Sequence, residues 1–217
     1  TENFLKYYDL LIEWNQMMNL TAITEFDEVV LKHFIDSVAV IQVMNMKNVC
    51  SVMDVGTGAG FPGIPLKIVF PHLKITLMDS LQKRVQFLKK VIEKLECEEI
   101  EAIHGRAEDL GKVDMYRERY DMSVSRAVAN LSTLAEYCIP FVKVNGAFIS
   151  YKSGDAKKEI EEAGGAIKTL ESELEECRKI SLPESSIERT FVIIRKKKEL
   201  NAKYPRRAGI PAKKPLS

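Results

Sequence analysis

With 217 residues, 46% of them apolar, the chain has enough material for one packed domain with a little extra, and general disorder is not expected. No apolar run approaches the roughly 20 residues of a membrane span, and no signal-peptide pattern opens the sequence, so a soluble cytoplasmic protein is expected. The net charge of +1 hides an asymmetry: residues 195–217 hold nine of the 32 basic groups and one of the 31 acids, leaving 23 basic and 30 acidic residues elsewhere.

The N-terminal segment reads as a helix, with Phe4, Leu5, Tyr8, Leu11 and Ile12 recurring on one face. Polar residues from Trp14 to Thr21 should end it, and Thr24 with Asp27 resembles a capping box that starts a second helix carrying Phe34, Val38 and Ile41 on one face. From residue 49 the pattern alternates. Strands are expected at 50–55, 74–79, 99–104, 120–125, 146–151, 177–182 and 190–195. Helices are expected at 63–70, 81–96, 130–140 and 155–172. That order predicts an α/β fold, a mainly parallel sheet with helices on both faces and its ligand edge at the strand C-termini. Residues 1–45 then form a helical extension packed on the core, 46–198 the main domain, and 199–217 a basic arm too rich in Pro and Gly for regular structure.

The most telling stretch runs from Val52 to Gly63: an apolar run ends in Asp54, and Gly56, Gly58, Gly60 and Gly63 come after it. A buried strand opens here into a tight loop whose backbone a ligand can touch. Asp79 ends the next apolar run, 25 residues after Asp54, where an acid can accept hydrogen bonds from both hydroxyls of a ribose. A literal G-x-G-x-x-G exists at Gly58, Gly60 and Gly63, but its register is wrong for a dinucleotide, because Gly56 already holds the strand-end place. Pro62 and Pro65 remove two N–H donors, and Asp54 would repel a pyrophosphate while favouring a cation. S-adenosylmethionine meets these constraints, having a sulfonium, an amino group, a ribose and an adenine but no phosphate. The structural alternative is a glycine-rich loop that only turns a corner. Glu108, after the third strand, and Arg126, ending the fourth, fall on the same sheet edge, although either alone would read as a cap or a surface ion pair.

These residues resemble the glucose-inhibited division protein B family, the RsmG-type guanine-N7 methyltransferases of 16S rRNA. The resemblance runs over nearly the whole chain: Trp14-Asn15, Asn19-Leu20-Thr21, His33 to Ser37, Asp54 to Pro65, Asp79-Ser80, Lys83-Arg84, Phe87-Leu88, Gly105 to Glu108, Ser125 to Val128 and Tyr204-Pro205-Arg206. It implies a Rossmann-like methyltransferase with a seven-stranded sheet, and N7-methylation of one guanine in the 530 loop. By position, it carries the family's cofactor contacts to Gly56, Phe61, Ala107, Glu108 and Arg126, beside the Asp54, Gly58 and Asp79 read from the loop itself.

Guanine N7 has an exposed lone pair and no proton to lose, so the reaction requires no general base and no metal. Holding N7 and the methyl about 3–3.5 Å apart and in line supplies most of the catalysis. The scattered Cys50, Cys97, Cys138 and Cys177 and the three histidines show no metal-ligand spacing, and free thiols are expected. Phosphate contacts are expected from Arg195, Lys196, Lys197, Lys198, Arg206 and Arg207, with 16S rRNA, the small subunit or its precursor as partner and a monomer as the working form. His33 and Asp36 are left between a packing role and the lining of the substrate cleft. A methyltransferase for a small molecule or protein, or an RNA-binding protein without turnover, are the alternatives. The basic tail disfavours the former and the intact loop the latter.

Overall fold

The computed structural model describes residues 1–126 and 129–217, so Ala127 and Val128 of the Ser125 to Val128 motif lie outside the described residues. The described residues form a seven-stranded sheet in the order β3-β2-β1-β4-β5-β7-β6. Its strands are β1 (Ser51–Val55), β2 (Lys74–Asp79), β3 (Ile100–His104), β4 (Tyr120–Ser125), β5 (Val142–Ser153), β6 (Ser172–Ser181) and β7 (Glu188–Lys196). Strands β3, β2, β1, β4 and β5 pair in parallel, and β7 runs antiparallel between β5 and β6. The chain order reverses between β1 and β4, and the C-terminal ends of those two strands diverge into a crevice where α/β sheets bind ligands.

Alternate residues of β1 feed two apolar layers, one on each face. Val52 joins a cluster with Tyr7, Leu11, Ile64, Leu66, Phe87 and Leu88, from helices α1 (Glu2–Met18), α4 (Gly63–Val69) and α5 (Gln82–Lys94). Met53 and Val55 join Leu131, Leu134, Cys138, Ala163 and Ile167, from α7 (Leu131–Cys138) and α8 (Lys157–Thr169).

The N-terminal part differs in detail from its expected pattern. Helix α1 continues through Trp14 to Met18, where Asn19 turns left-handed and stops it. Its buried face is Tyr7, Leu10 and Leu11, leaving Leu5 exposed. The second helix starts at Phe26 without a side-chain cap, and the Thr24 carbonyl accepts from the Tyr8 hydroxyl (3.0 Å) instead. It runs as α2 (Phe26–Val29), a π-helical stretch Val30–Ile35, and α3 (Asp36–Val38). The wider turn rotates the residues beyond it, so Phe34 is buried while Ile41 faces solvent and Asp36 points inward.

Strand β6 begins five residues before its expected start, at Ser172 rather than 177. Its outer residues Glu173, Glu175 and Glu176 are charged, which hides the apolar alternation and protects a sheet edge from other strands. The C-terminal arm, expected to be irregular, includes a short helix, α9 (Ile210–Lys213), and is packed on the core.

Candidate cofactor and substrate clefts

Gly56 leaves β1 with φ 71°, and the N–H groups of Gly56 and Thr57 donate to the Met78 carbonyl of β2 (2.9 and 3.1 Å). The loop is thus drawn over the strand ends. Gly58, also left-handed at φ 62°, donates its N–H to Asp79 Oδ2 (3.0 Å), and Leu81 N–H donates to Oδ1 (2.9 Å). Asp79 is almost fully buried, its Oδ2 also meets Arg84 Nη1 (3.4 Å), and the carboxylate retains an acceptor site beyond these bonds.

Asp54 lies beneath the loop, fully buried. Its Oδ2 accepts from Thr57 Oγ1 (2.7 Å) and from the Gly63 N–H at the start of α4 (2.8 Å), whereas Oδ1 has no partner among the described residues. Only glycine fits at 63, since a Cβ there would lie 2.2 Å from a Leu77 methyl and 2.8 Å from Asp54 Oδ2. The carboxylate therefore plugs the helix N-terminus where a dinucleotide would place its pyrophosphate. Burial raises the Asp54 pKa to about 6 against the lowering effect of the Thr57 and Gly63 hydrogen bonds. A nucleoside with a cationic substituent and no phosphate fits this arrangement.

Beside the loop is a cavity of about 390 Å³, with Val55, Gly56 and Met78 as its floor and Asp79, Ala107, Glu108, Ser125 and Tyr137 among its walls. That volume is ample for a nucleoside-sized ligand. Glu108, at the start of α6 (Ala107–Leu110), is buried, and its Oε1 accepts the Gly209 N–H (2.8 Å).

A second cavity of about 770 Å³ adjoins the first at Ala129. It is lined by His33, Asp36, Arg126, Tyr151, Lys152 and Arg189, among others. The fully buried Asp36 carboxylate lies between two guanidinium groups, accepting from Arg126 Nη1 (3.0 Å) on Oδ2 and Arg189 Nε (2.6 Å) on Oδ1. Arg126 Nη2 faces His33 Nδ1 (3.2 Å), and His33 Nε2 lies 2.8 Å from Thr21 Oγ1. Because arginine only donates, Nδ1 accepts and Nε2 carries the proton. Burial and the Arg126 charge lower the His33 pKa to about 4, so the ring is neutral at pH 7 and both nitrogens are engaged.

Of the residues singled out in the sequence, Gly56, Asp79, Ala107 and Glu108 meet around the first cavity. Gly58 is tied to Asp79, and Asp54 supports the loop from below. Phe61 and Arg126 lie apart from that cavity, with the Arg126 guanidinium 4.9 Å from the centre of the buried Phe61 ring. The basic residues are not brought together as a free arm. Lys196 must be corrected: it is buried, with its ammonium 2.5 Å from Glu118. Arg195 pairs with Glu175, Lys197 with Glu173 (2.7 Å), and Arg206 with the fully buried Glu136 (2.6 Å). Lys198 and Arg207 are exposed. Arg189 and Tyr137 carry no sequence signal, because only the sheet order and the packing of α7 bring them to the clefts.

The sheet order and the cleft at its switch point define a Rossmann-like methyltransferase fold. Among solved structures, TYW2 from P. horikoshii in complex with MeSAdo shares that fold with a TM-score of 0.58 at 14% identity, covering 75% of this chain and 62% of the other. TYW2 from M. jannaschii in complex with AdoMet has a TM-score of 0.52 at 15% identity, covering 67% and 68%. The chain belongs to the GidB family, rRNA small subunit methyltransferase G, whose family model matches residues 1–188. The ribosomal RNA small subunit methyltransferase G of Thermoanaerobacter sp. (strain X514) is 56% identical over 215 residues, covering 99% of this chain and 90% of that protein. Its counterpart in Acetivibrio thermocellus is 50% identical over 216 residues, covering 100% and 88%.

Proposed function

We propose that this chain transfers a methyl group from S-adenosylmethionine to N7 of one guanine in the 530 loop of 16S rRNA. The observation that carries this reading is the adjacency of the two cavities. The nucleoside-sized cleft beside Asp79 and the larger one around Arg126 meet at Ala129, next to the end of β4. When bound in the first, with Asp79 and Glu108 holding its nucleoside end, S-adenosylmethionine supplies an electrophilic methyl. A flipped or looped-out guanine in the second would lie among Arg126, Arg189 and Lys152, three cations that outnumber the two acids they pair with there, Asp36 and Glu159, and so suit flanking phosphates.

The chemistry asks the residues to position rather than to move a proton. N7 brings its own lone pair, and His33, neutral and hydrogen-bonded at both nitrogens, acts as a brace for Arg126. Closing two preformed clefts around both reactants supplies the alignment. The working form is read as a cytoplasmic monomer acting on the small subunit or its precursor.

The test is methyl transfer from isotopically labelled S-adenosylmethionine to unmodified 16S rRNA and to small subunits, followed by nucleoside analysis. Label recovered as 7-methylguanosine in a single fragment is the expected result. Tight cofactor binding with no label in either substrate would move the weight to a small-molecule or protein substrate.

A further inference from the structure

The segment after β7 is anchored on both sides of a turn. Before it, the Arg206 guanidinium forks onto the buried Glu136 carboxylate (2.9, 3.0 and 2.6 Å). After it, the Pro211 carbonyl accepts from Thr133 Oγ1 (3.2 Å). Between these anchors Gly209 takes φ 81° and donates its N–H to Glu108 Oε1 (2.8 Å). Gly209 and Ala212 thereby become walls of the nucleoside-sized cleft.

Two features separate this contact from ordinary packing. The space beside Gly209 is open, since a Cβ there would meet nothing within 4 Å. Where the same tail only packs, it fills its space: a Cβ on Gly165 would lie 2.2 Å from the Ser217 carbonyl carbon. Glu108 also shares the cleft wall with Tyr137. Held on Oε1 by the Gly209 N–H and itself part of the cleft wall, the Glu108 carboxylate keeps acceptor sites for a ligand.

We propose that residues 206–212 are a built-in strap of the cofactor site, with Gly209 and Ala212 closing its nucleoside end and the Gly209 N–H positioning Glu108 toward the ligand. This rests on the reading that S-adenosylmethionine occupies the cleft. The strap leaves the Asp79 side alone, so its effect is confined to the end of the ligand near Glu108.

The test is calorimetric titration of the full chain with S-adenosylmethionine and with 5′-methylthioadenosine, which carries the nucleoside end without the amino-acid end. Gly209→Pro removes the N–H donor and, since proline cannot adopt a φ of 81°, also breaks the turn between the two anchors, whereas Ala212→Trp puts bulk into the cleft from an exposed position. Each variant is expected to weaken the two ligands by the same factor, at least about tenfold, because one displaces the wall that holds Glu108 and the other fills the cleft. Thermal unfolding of Ala212→Trp should match the unsubstituted chain. Unchanged affinity for both ligands in both variants overturns the strap. If Asp79→Ala abolishes binding while the strap variants bind normally, the strap alone falls. If the unsubstituted chain binds neither ligand, the cofactor reading falls and takes the strap with it.

Discussion

The His33 ring lies flat on the Phe61 ring, with 4.5 Å between centroids and 19° between planes. Phe61 belongs to the glycine loop and His33 to the π-helical stretch, so this stack fastens the helical N-terminal part to the cofactor loop. Tyr7 (5.4 Å) and Phe34 (6.2 Å) complete the aromatic group around Phe61, and the Tyr7 hydroxyl donates to the Ala59 carbonyl at 2.5 Å. Phe61→Ala should cost about 3–5 kcal/mol, the range for emptying a buried aromatic site, and Phe61→Leu clearly less. Urea unfolding measures both. A loss below about 1 kcal/mol in Phe61→Ala would show that the stack does not hold these parts together.

Asp54 and His33 should oppose each other in the pH dependence of stability. The Asp54 carboxyl titrates near 6 in the folded chain against an ordinary 3.8. Its raised value favours the folded state at low pH, and that contribution is lost as pH rises from about 4 to 6. His33 titrates near 4 against 6.5, so its contribution is present above 6.5 and is lost as pH falls toward 4. Asp54→Asn keeps an acceptor for Gly63 and removes the first slope. Relative to this variant, the unsubstituted chain should lose about 2–3 kcal/mol between pH 4 and 6. His33→Gln removes the second slope and should leave stability rising toward acid. Urea unfolding at pH 4, 5, 6 and 7 compares the three, and parallel curves would contradict both assignments.

Much of this architecture is legible in the sequence because local pattern and global fold agree. The strands at 74–79 and 120–125 fall to the residue where the pattern puts them, since Ile75, Leu77 and Met78 in the first and the alternating Tyr120, Met122 and Val124 in the second are buried apolar positions. The glycine loop and Asp79 are legible for the same reason, as their roles derive from a strand end and a tight turn. The second cavity is legible only in part: His33, Asp36 and Arg126 stand out in the sequence, but not how they meet. Asp36 looks solvent-facing if the helix keeps its ordinary period, and the π-helical stretch turns it inward. Arg189 precedes an apolar strand like any flanking charge, and only the antiparallel insertion of β7 beside β5 brings it opposite Asp36. The tail misleads because a count of charges leaves out their partners. Glu118 and Glu136, the acids that neutralise Lys196 and Arg206, lie about 70–80 residues upstream.

Asp79 holds the loop as well as facing the cleft, and its substitutions should separate the two. Asp79→Asn retains one acceptor oxygen but turns the other position into a donor, which must face either the Gly58 N–H or the Leu81 N–H. We expect it to lower affinity for S-adenosylmethionine about tenfold or more while the fold persists. Calorimetric titration together with the circular dichroism melt measures this. Unchanged affinity would remove Asp79 from the cofactor site.

Asp36 between Arg126 and Arg189 is a buried charge cluster, costly to break on one side. Asp36→Ala strands two guanidinium groups near each other and should destabilise by about 3–5 kcal/mol. Arg189→Leu leaves Asp36 paired with Arg126 and should cost less stability. If Arg189 binds substrate phosphate, that variant should still weaken RNA binding while leaving S-adenosylmethionine affinity unchanged. A variant with normal RNA affinity would confine Arg189 to holding Asp36.

The exposed and the buried basic residues of the tail should behave differently. Lys198 and Arg207 are exposed, whereas Lys196 is buried against Glu118. Lys196→Ala leaves Glu118 without its cation and should lower the melting temperature; any loss of methyl transfer should stem from unfolding. Lys198→Glu with Arg207→Glu should leave the melt unchanged. If these two meet phosphates, the double variant should bind rRNA more weakly at low salt, and the slope of log affinity against log salt should fall by about 0.7 for each phosphate no longer neutralised. Filter binding from 50 to about 200 mM salt spans the range in which such ion pairs dominate. Wild-type methylation and an unchanged salt slope at every concentration would mean that the tail packs on the core without touching RNA, leaving the cationic residues of the second cavity to hold the substrate.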